Sequence, residues 1–402
     1  MAEKLYIHGG SKVRTKPFEY LAPLGEEEMR AAEEVIRSKQ LSGFYKNNLG
    51  GERVREFEAD FAKYLGVKYA ISVNSGTSAL HVALAAAGIG EGDEVIVPPF
   101  TFTATAAAVR MVGAYPVFVD VDPDTFCLDP SLVEAAITEK TKAIMPVHIY
   151  GKVADLARLQ EIATRRNLLL IEDACQAPGA LHDGVKVVAI GVMGIFSFVE
   201  TKNIVIGEGG MITTNDDGIA ERCRLVRNHG EAWVTGTPRE YWSQILGYNF
   251  RLDEVAAAIG IEQMKKLDQF NEVRKENAAY LEFGLGTIPG LKTLHYKEGE
   301  VCHLFAVLID ESVFGVSRID CIELLASEGI PASAGYPHPL YKNPVFQECK
   351  ERDYASVHCK VAEDICSRLI CLQRMHVPFT VEDMKDVVRA FEKIYENRGL
   401  VR

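Results

Sequence analysis

The chain reads as an α/β fold, a three-layer arrangement with a mostly parallel sheet between helices, joined to a smaller C-terminal α+β domain. Three observations predict it. From Lys68 to Thr214 short β-branched runs alternate with longer helical stretches, the pattern of βα units. After Asn249 the alternation gives way to one helical stretch, Asp253 to about Leu285, rich in Glu, Lys and Ala. From about Leu291 strands and helices mix again over a shorter span. The expected division is therefore an extension with a first helix (1–51), a large domain (52–250), a connecting helix (251–290) and a small domain (291–402).

Each element has its own signal. Met29, Ala32 and Val35 stand near helical spacing in Glu26–Ser38, and a Gly/Asn-punctuated loop, Leu41–Gly51, separates that helix from a second over Glu52–Tyr64. The expected strands are Tyr69–Val73, Glu94–Val97, Pro116–Val121, Ala143–Pro146, Leu168–Ile171, Ile195–Phe198 and Met211–Thr214. Between them Thr77–Ala87, Thr103–Val112, Pro130–Ile137, Val153–Arg166 and Gly218–Arg227 suit helices. In the small domain His303–Ile309 reads as a strand, with Arg318–Ala326 and Val381–Tyr395 as helices.

Composition narrows the partners. Of 402 residues 48% are hydrophobic and 25% charged, the balance of a globular chain. A net charge of −12 and the lack of a basic stretch argue against nucleic acid. No run approaches the roughly 18 apolar residues of a membrane helix, and Met1–Tyr6 does not resemble a signal peptide. The nine cysteines form no CxxC pair. They fit neither a disulfide framework nor a zinc site, so no metal is expected and a cytoplasmic location is.

Three motifs carry chemistry. Asp173 follows the apolar run Leu168–Ile171, at the strand end where open α/β sheets build their sites; a lone Asp there is more often a helix N-cap or a loop carboxylate. Lys202 follows the run Phe196-Ser197-Phe198, and Gly207-Glu208-Gly209-Gly210 comes after it; alone it could be a surface lysine. Ser75-Gly76-Thr77-Ser78 joins a strand to the helix that follows, and hydroxyls with free N–H groups there make an anion cradle or an ordinary N-cap. Neither a Walker loop nor a GxGxxG fingerprint is present. Together a lysine amine, a carboxylate and a phosphate cradle meet the needs of pyridoxal 5′-phosphate (PLP): a Schiff base, a protonated pyridine nitrogen and a phosphate site.

Beyond these motifs the sequence resembles the DegT/DnrJ/EryC1/StrS family of fold-type-I PLP enzymes, the sugar and cyclitol aminotransferases. The likeness spans nearly the whole chain, through Ser75–Leu80, Glu94–Pro98, Thr101-Phe102, Pro146–Gly151, Ile171–Gln176, Gly207–Gly210 and Gly247–Arg251. It implies Lys202 as the Schiff-base lysine, Asp173 as partner of the pyridine nitrogen, and Gln176 on the ring hydroxyl. It further implies Phe102 stacking on the ring, and Gly76, Thr77, Ser78 and Ser197 around the phosphate. Asn249 would reach the phosphate of the neighbouring subunit's cofactor, making a homodimer with shared sites. His229, Tyr336 and His338 would stand on the substrate side. His148 reads at least as well as a buried structural histidine. Two departures from the family pattern are Gly191-Val192, where many members carry Gly-Asp, and Val199, where many carry His or Tyr.

The resemblance implies transfer of an amino group from glutamate or glutamine to a keto-sugar, often nucleotide-linked, or to a keto-cyclitol of the inosose type. Lys202, where the family's dehydratase branch has histidine, favours transfer over deoxygenation. An aromatising eliminase of the aminohydroxybenzoate-synthase kind, which also keeps the lysine, and a PLP-binding regulator without catalysis are the alternatives. The loops Leu41–Gly51, Gly230–Gly247 and Gly335–Phe346 are expected to set the substrate.

Overall fold

A computed structural model describes residues 3–19, 22–232 and 239–401. Helices α1 (Glu26–Ser38) and α2 (Glu52–Leu65) come first, followed by alternating strands and helices: β1 (Tyr69–Val73), α3 (Gly76–Ala86), β2 (Glu94–Val97), α4 (Ala104–Met111), β3 (Tyr115–Phe118), α5 (Pro130–Val133), β4 (Thr141–Ile144), α6 (Leu156–Arg166) and β5 (Leu169–Asp173). A short hairpin, β6 (Leu181–His182) and β7 (Val185–Lys186), precedes β8 (Met193–Ser197), β9 (Gly210–Thr214) and α7 (Asp217–Arg227).

Seven of these strands form one sheet in the order β1-β9-β8-β5-β4-β2-β3. Strands β8, β5, β4, β2 and β3 are mutually parallel, whereas β9 runs antiparallel to both β1 and β8. The parallel sheet expected from the alternation is thus present, with one reversed strand inside it. The reversal is geometric: only twelve residues separate Ser197 from Gly210, and Ser197 pairs with Gly210 across the ladder. Twelve residues is at the lower limit for a crossover to a parallel neighbour, and these hold no helix to make one, so the chain returns antiparallel.

The sheet lies between packed helices. Phe57 and Phe61 of α2 meet Phe196 and Phe198, with Phe61–Phe196 and Phe57–Phe198 centroids 4.9 and 5.3 Å apart. Those aromatic contacts hold both neighbours of Ser197. In turn α2 packs on a further helix, α8 (Glu254–Met264), where Gly260 allows the approach: a Cβ there would come within 2.7 Å of the Phe57 ring.

The expected single helix over Asp253–Leu285 is in fact two, α8 and α9 (Leu267–Leu285). At the break Lys266 N donates to Gln263 O at 3.1 Å, a bond one residue tighter than the α-helical one. Lys266 then turns its ammonium to Glu27 and Glu28 at the start of α1.

A second core surrounds β10 (Leu291–Thr293), β11 (Phe305–Ile309), β12 (Ala332–Ser333) and β13 (Leu369–Leu372), an antiparallel sheet in the order β10-β11-β13-β12. The helix Val381–Glu396 and the end of α9 cover it. The chain's start joins this core rather than the large sheet. Leu5 and Phe18 are buried in it, Arg14 pairs with Asp383 and Asp386 at 2.8 Å, and buried Glu328 accepts from Tyr6 N and Val13 N. All nine cysteines are free thiols. Among the described residues no helix is long and apolar enough to cross a membrane.

Candidate active site

The C-terminal ends of β5 and β8 lie side by side, Asp173 pairing with Ile195. A cavity of about 460 Å³ opens beyond them. Of the residues singled out in the sequence, Gly76, Thr77, Phe102, Asp173, Gln176, Ser197, Lys202 and Tyr336 line it together. Thus the three motifs, far apart in sequence, face one space.

The cradle comes from the junction of β1 and α3. Ser75 caps the helix, its Oγ accepting from Ser78 N at 3.0 Å, and the Ser78 hydroxyl donates to Asn74 Oδ1 at 2.7 Å. Ser78 therefore closes the cap and does not line the cavity. Gly76 and Thr77 do, as the first helical residues, whose N–H groups carry the positive end of the helix dipole. A Cβ on Gly76 would stand 2.7 Å from Ser197 Cβ and 3.0 Å from its Oγ, and a Cβ on Gly210 would stand 2.3 Å from Ser75 O. The absence of both side chains lets the first turn of α3 close on the ends of β8 and β9. Hydroxyls and helix N–H groups converging in so narrow a space fit a phosphate.

Asp173 sits at the floor, 3% exposed. Its Oδ2 accepts from Thr105 Oγ1 at 2.8 Å, and its Oδ1 from Cys175 N at 3.2 Å. Thr101 Oγ1 lies 3.2 Å from Thr105 Oγ1, so a row of hydroxyls on the loop before α4 and on α4 orients the carboxyl. Gln176 is clamped likewise: its Oε1 accepts from Tyr150 N at 2.8 Å and its Nε2 donates to the Tyr336 hydroxyl at 3.2 Å. Tyr336 stacks parallel to Tyr150, and burial pushes its phenol up from the usual value.

Lys202 stands in the connection from β8 to β9. Its N–H donates to Val199 O at 2.9 Å, while Phe198 N bonds Gly209 O and Ile206 N bonds Phe198 O at the base of the loop. Lys202 is half-buried on the cavity wall, and desolvation lowers its pKa from the ordinary lysine value; the nearby Cys175 and Asp173 oppose that shift. The amine is thereby nearer its neutral, nucleophilic form. Phe102, 57% exposed, stands at the cavity edge.

The remaining expected residues lie elsewhere. Asn249 is exposed, its Oδ1 accepting from Arg251 Nε at 2.8 Å, and it bridges Asn228. His229 takes a left-handed backbone (φ 59°) and donates its N–H to Tyr248 O. His338 is exposed and off the cavity wall. Part of the loop Gly230–Gly247 lies outside the described residues. His148 is wholly buried, its Nδ1 accepting from Ala154 N, so Nε2 donates to Glu172 at 3.1 Å. Glu172 also accepts from Val188 N and Gly191 N. This is a structural network beneath the site.

Several lining residues escaped the sequence reading: Thr105, Arg274, His303, Arg374 and His376. Burial, with Lys202 and Arg274 close by, holds the His303 imidazole well below its usual pKa. His376 is lowered to about 4, chiefly by burial and then by Arg274. Only Thr105 had a visible signal, one helical turn after Thr101.

Likeness to known proteins runs along the whole chain. The sequence profile of the DegT/DnrJ/EryC1/StrS aminotransferase family matches residues 23–392. A pleiotropic regulatory protein of Geobacillus stearothermophilus is 42% identical over 83% of this chain and 85% of its own length. GDP-perosamine synthase of Caulobacter vibrioides is 40% identical over 86% and 90%. The L-glutamine:2-deoxy-scyllo-inosose aminotransferase of Streptoalloteichus tenebrarius is 36% identical over the full length of both chains. Among solved structures PseC of Helicobacter pylori, an aminotransferase involved in the biosynthesis of pseudoaminic acid, superposes with a TM-score of 0.86 at 30% identity, covering 95% of this chain and all of its own. The chain belongs to the DegT/DnrJ/EryC1/StrS aminotransferase family.

Proposed function

We propose that this protein is a PLP-dependent aminotransferase that moves an amino group from glutamate or glutamine to a ketone on a sugar or cyclitol. The observation that carries the reading is the convergence of Lys202, Asp173 and the first turn of α3 on one cavity. When bound, PLP supplies an aldehyde for amine capture and a cationic ring that draws electrons from the carbon bearing the amino group. Lys202 would form the Schiff base and, once released, carry a proton on Nζ between the two reacting carbons. Asp173, fixed by Thr105 and Cys175 N, would keep the pyridine nitrogen protonated. Gly76, Thr77 and Ser197 would hold the phosphate, with Ser78 shaping that turn from behind. Gln176 would bond the ring hydroxyl and Phe102 cover the ring face.

The names of GDP-perosamine synthase and the inosose aminotransferase support both substrate classes, a nucleotide-linked keto-sugar and a keto-cyclitol. His229, Tyr336 and His338 are assigned to the acceptor side, and Asn249 to the neighbouring subunit's phosphate in a homodimer. A covered surface near Asn249 suits the exposure of Tyr241, Trp242 and Leu246, at 74, 72 and 78%.

The first test is optical. Adding PLP to the wild type is expected to produce the visible absorption of an imine, and Lys202→Ala to abolish it; absence of that absorption in the wild type refutes the reading. Supplying the pyridoxamine-phosphate form with nucleotide-linked ketosugars and inososes then identifies the acceptor. Donor nitrogen appearing in the product, with release of 2-oxoglutarate from glutamate, separates amino transfer from elimination and from a regulator without catalysis.

A further inference from the structure

The cavity is built from two halves of the chain with different chemistry. The large sheet contributes the α3 cradle, Asp173 and Lys202. The C-terminal region contributes Arg274 from α9, His303 just ahead of β11, and Arg374 and His376 just after β13.

Arg274 is 3% exposed, and its Nη1 donates to the carbonyls of His303 (2.9 Å) and Cys302 (3.4 Å). Those bonds fix the plane of the guanidinium against the segment that leads into β11. His303 is fixed from the other side, Nδ1 lying 3.1 Å from Asn203 Oδ1 in the residue after Lys202. A smaller cleft lined by Lys202, Arg274 and His376 confirms that these three groups share one neighbourhood. Both imidazoles are held below their usual pKa by burial and by the cations near them, so the two guanidinium groups are the lasting positive centres of this wall. On the acidic side Asp173 is engaged by Thr105 and Cys175 N at the floor, while Glu208 and Glu200, the latter in the smaller cleft with Arg274, are exposed.

We propose that Arg274 and Arg374 form a subsite for the carboxylate of the amino-acid donor. The inference rests on the aminotransferase reading, because that reaction brings two substrates in turn to one cavity. The donor is an amino acid and always carries a carboxylate, whereas the acceptor's reacting end is a neutral ketone. Guanidinium groups suit this discrimination, since their planar fork matches a carboxylate with two parallel hydrogen bonds. A nucleotide-linked acceptor also carries an anion, its diphosphate. At about 460 Å³, shared with the cofactor, the cavity has room for a small dicarboxylate at the depth of Arg274. A nucleoside diphosphate would extend through the mouth past the exposed Phe102.

The test uses PLP-loaded wild type, Arg374→Gln, Arg374→Lys and Arg274→Lys. Each is titrated calorimetrically with glutarate, a dicarboxylate with no amino group to react, and with uridine diphosphate. Arg374→Gln is expected to weaken glutarate binding about tenfold or more, as loss of a charged hydrogen bond does, with Arg374→Lys in between and uridine diphosphate unaffected. The same variant should raise the half-saturating L-glutamate and L-glutamine concentrations for amino transfer to the cofactor, while its visible imine absorption is retained. Glutarate affinity unchanged in both Arg374→Gln and Arg274→Lys overturns the subsite. Selective loss of uridine diphosphate binding also overturns it, and assigns the pair to the acceptor's phosphates. A wild type that forms no imine refutes the aminotransferase reading instead, and the glutarate titration still reports separately on the two arginines.

Discussion

At the scale of single residues the site is organised by what is missing as much as by what is present. Gly76 opens α3 as its first helical residue, directly after the Ser75 cap. Its backbone φ lies outside the left-handed region, so conformation does not require glycine here. The requirement comes from Ser197, whose Cβ would be 2.7 Å from the added methyl and which sits in a strand fully buried along its length. Ser197 cannot rotate away from a contact made by its own Cβ, so the helix start would have to move. We expect Gly76→Ala to raise the PLP dissociation constant about tenfold or more while leaving the melting temperature of the apo protein within a few degrees; titrating apo protein with PLP measures the first and calorimetry the second. Lys202, Asp173 and the Ser75–Ser78 turn were legible because each is a local pattern at the end of an apolar run. Arg274 was not: it lies in a helical stretch full of Glu and Lys, where one buried arginine looks like its exposed neighbours.

Among elements, the strands and helices of the large sheet emerged close to their expected bounds, since alternation is written into the sequence. Two features were not. The direction of β9 depends on which neighbour it pairs with, and the short run Gly210–Thr214 carries no direction in its sequence. The break between α8 and α9 falls at Met264-Lys265-Lys266 without a glycine or proline to mark it; tertiary contacts with α1 decide it. A third unannounced feature is the anchoring of α7. Arg227, at its end, is fully buried, its Nη1 donating to Glu58 Oε1 on α2 at 2.6 Å and to Ser72 O at 2.9 Å, its Nη2 to Asn48 O at 3.0 Å. One side chain thus joins α7, α2, β1 and the Leu41–Gly51 loop. Replacing it with methionine leaves the Glu58 carboxylate in the interior without its cation, which costs about 3–5 kcal/mol. Arg227→Met should therefore lower the urea midpoint sharply, and adding Glu58→Gln should recover part of the loss. Equal midpoints for wild type and Arg227→Met would show that the pair contributes nothing.

Over the whole molecule, two cores meet at the cavity, and the cavity's histidines make the fold sensitive to mild acid. The N-terminal segment docks on the C-terminal core through Arg14 and Glu328, a long-range pairing that no local pattern announces. Between that core and the large sheet lie His303 and His376. His376 has its pKa lowered to about 4 in the folded protein, mainly by burial, against about 6.5 in an unfolded chain. Its folded pKa is depressed, so the unfolded state binds the proton first. Stability is then fully present above about pH 6.5 and is lost as the pH falls toward 4. With each pH step worth about 1.4 kcal/mol, His376 alone removes about 2 kcal/mol by pH 5. His303, displaced in the same direction, adds to the loss. Carboxylates whose pKa is lowered, such as Glu94 and Asp383, lose their contribution only below their unfolded values near 4, so the window from pH 6.5 to 5 belongs to the imidazoles. The apo protein should melt several degrees lower at pH 5 than at pH 7, and His376→Gln should show a visibly smaller difference between the two. Parallel curves for the two proteins would mean that His376 takes up its proton without unfolding, and that the junction of the cores is open to water.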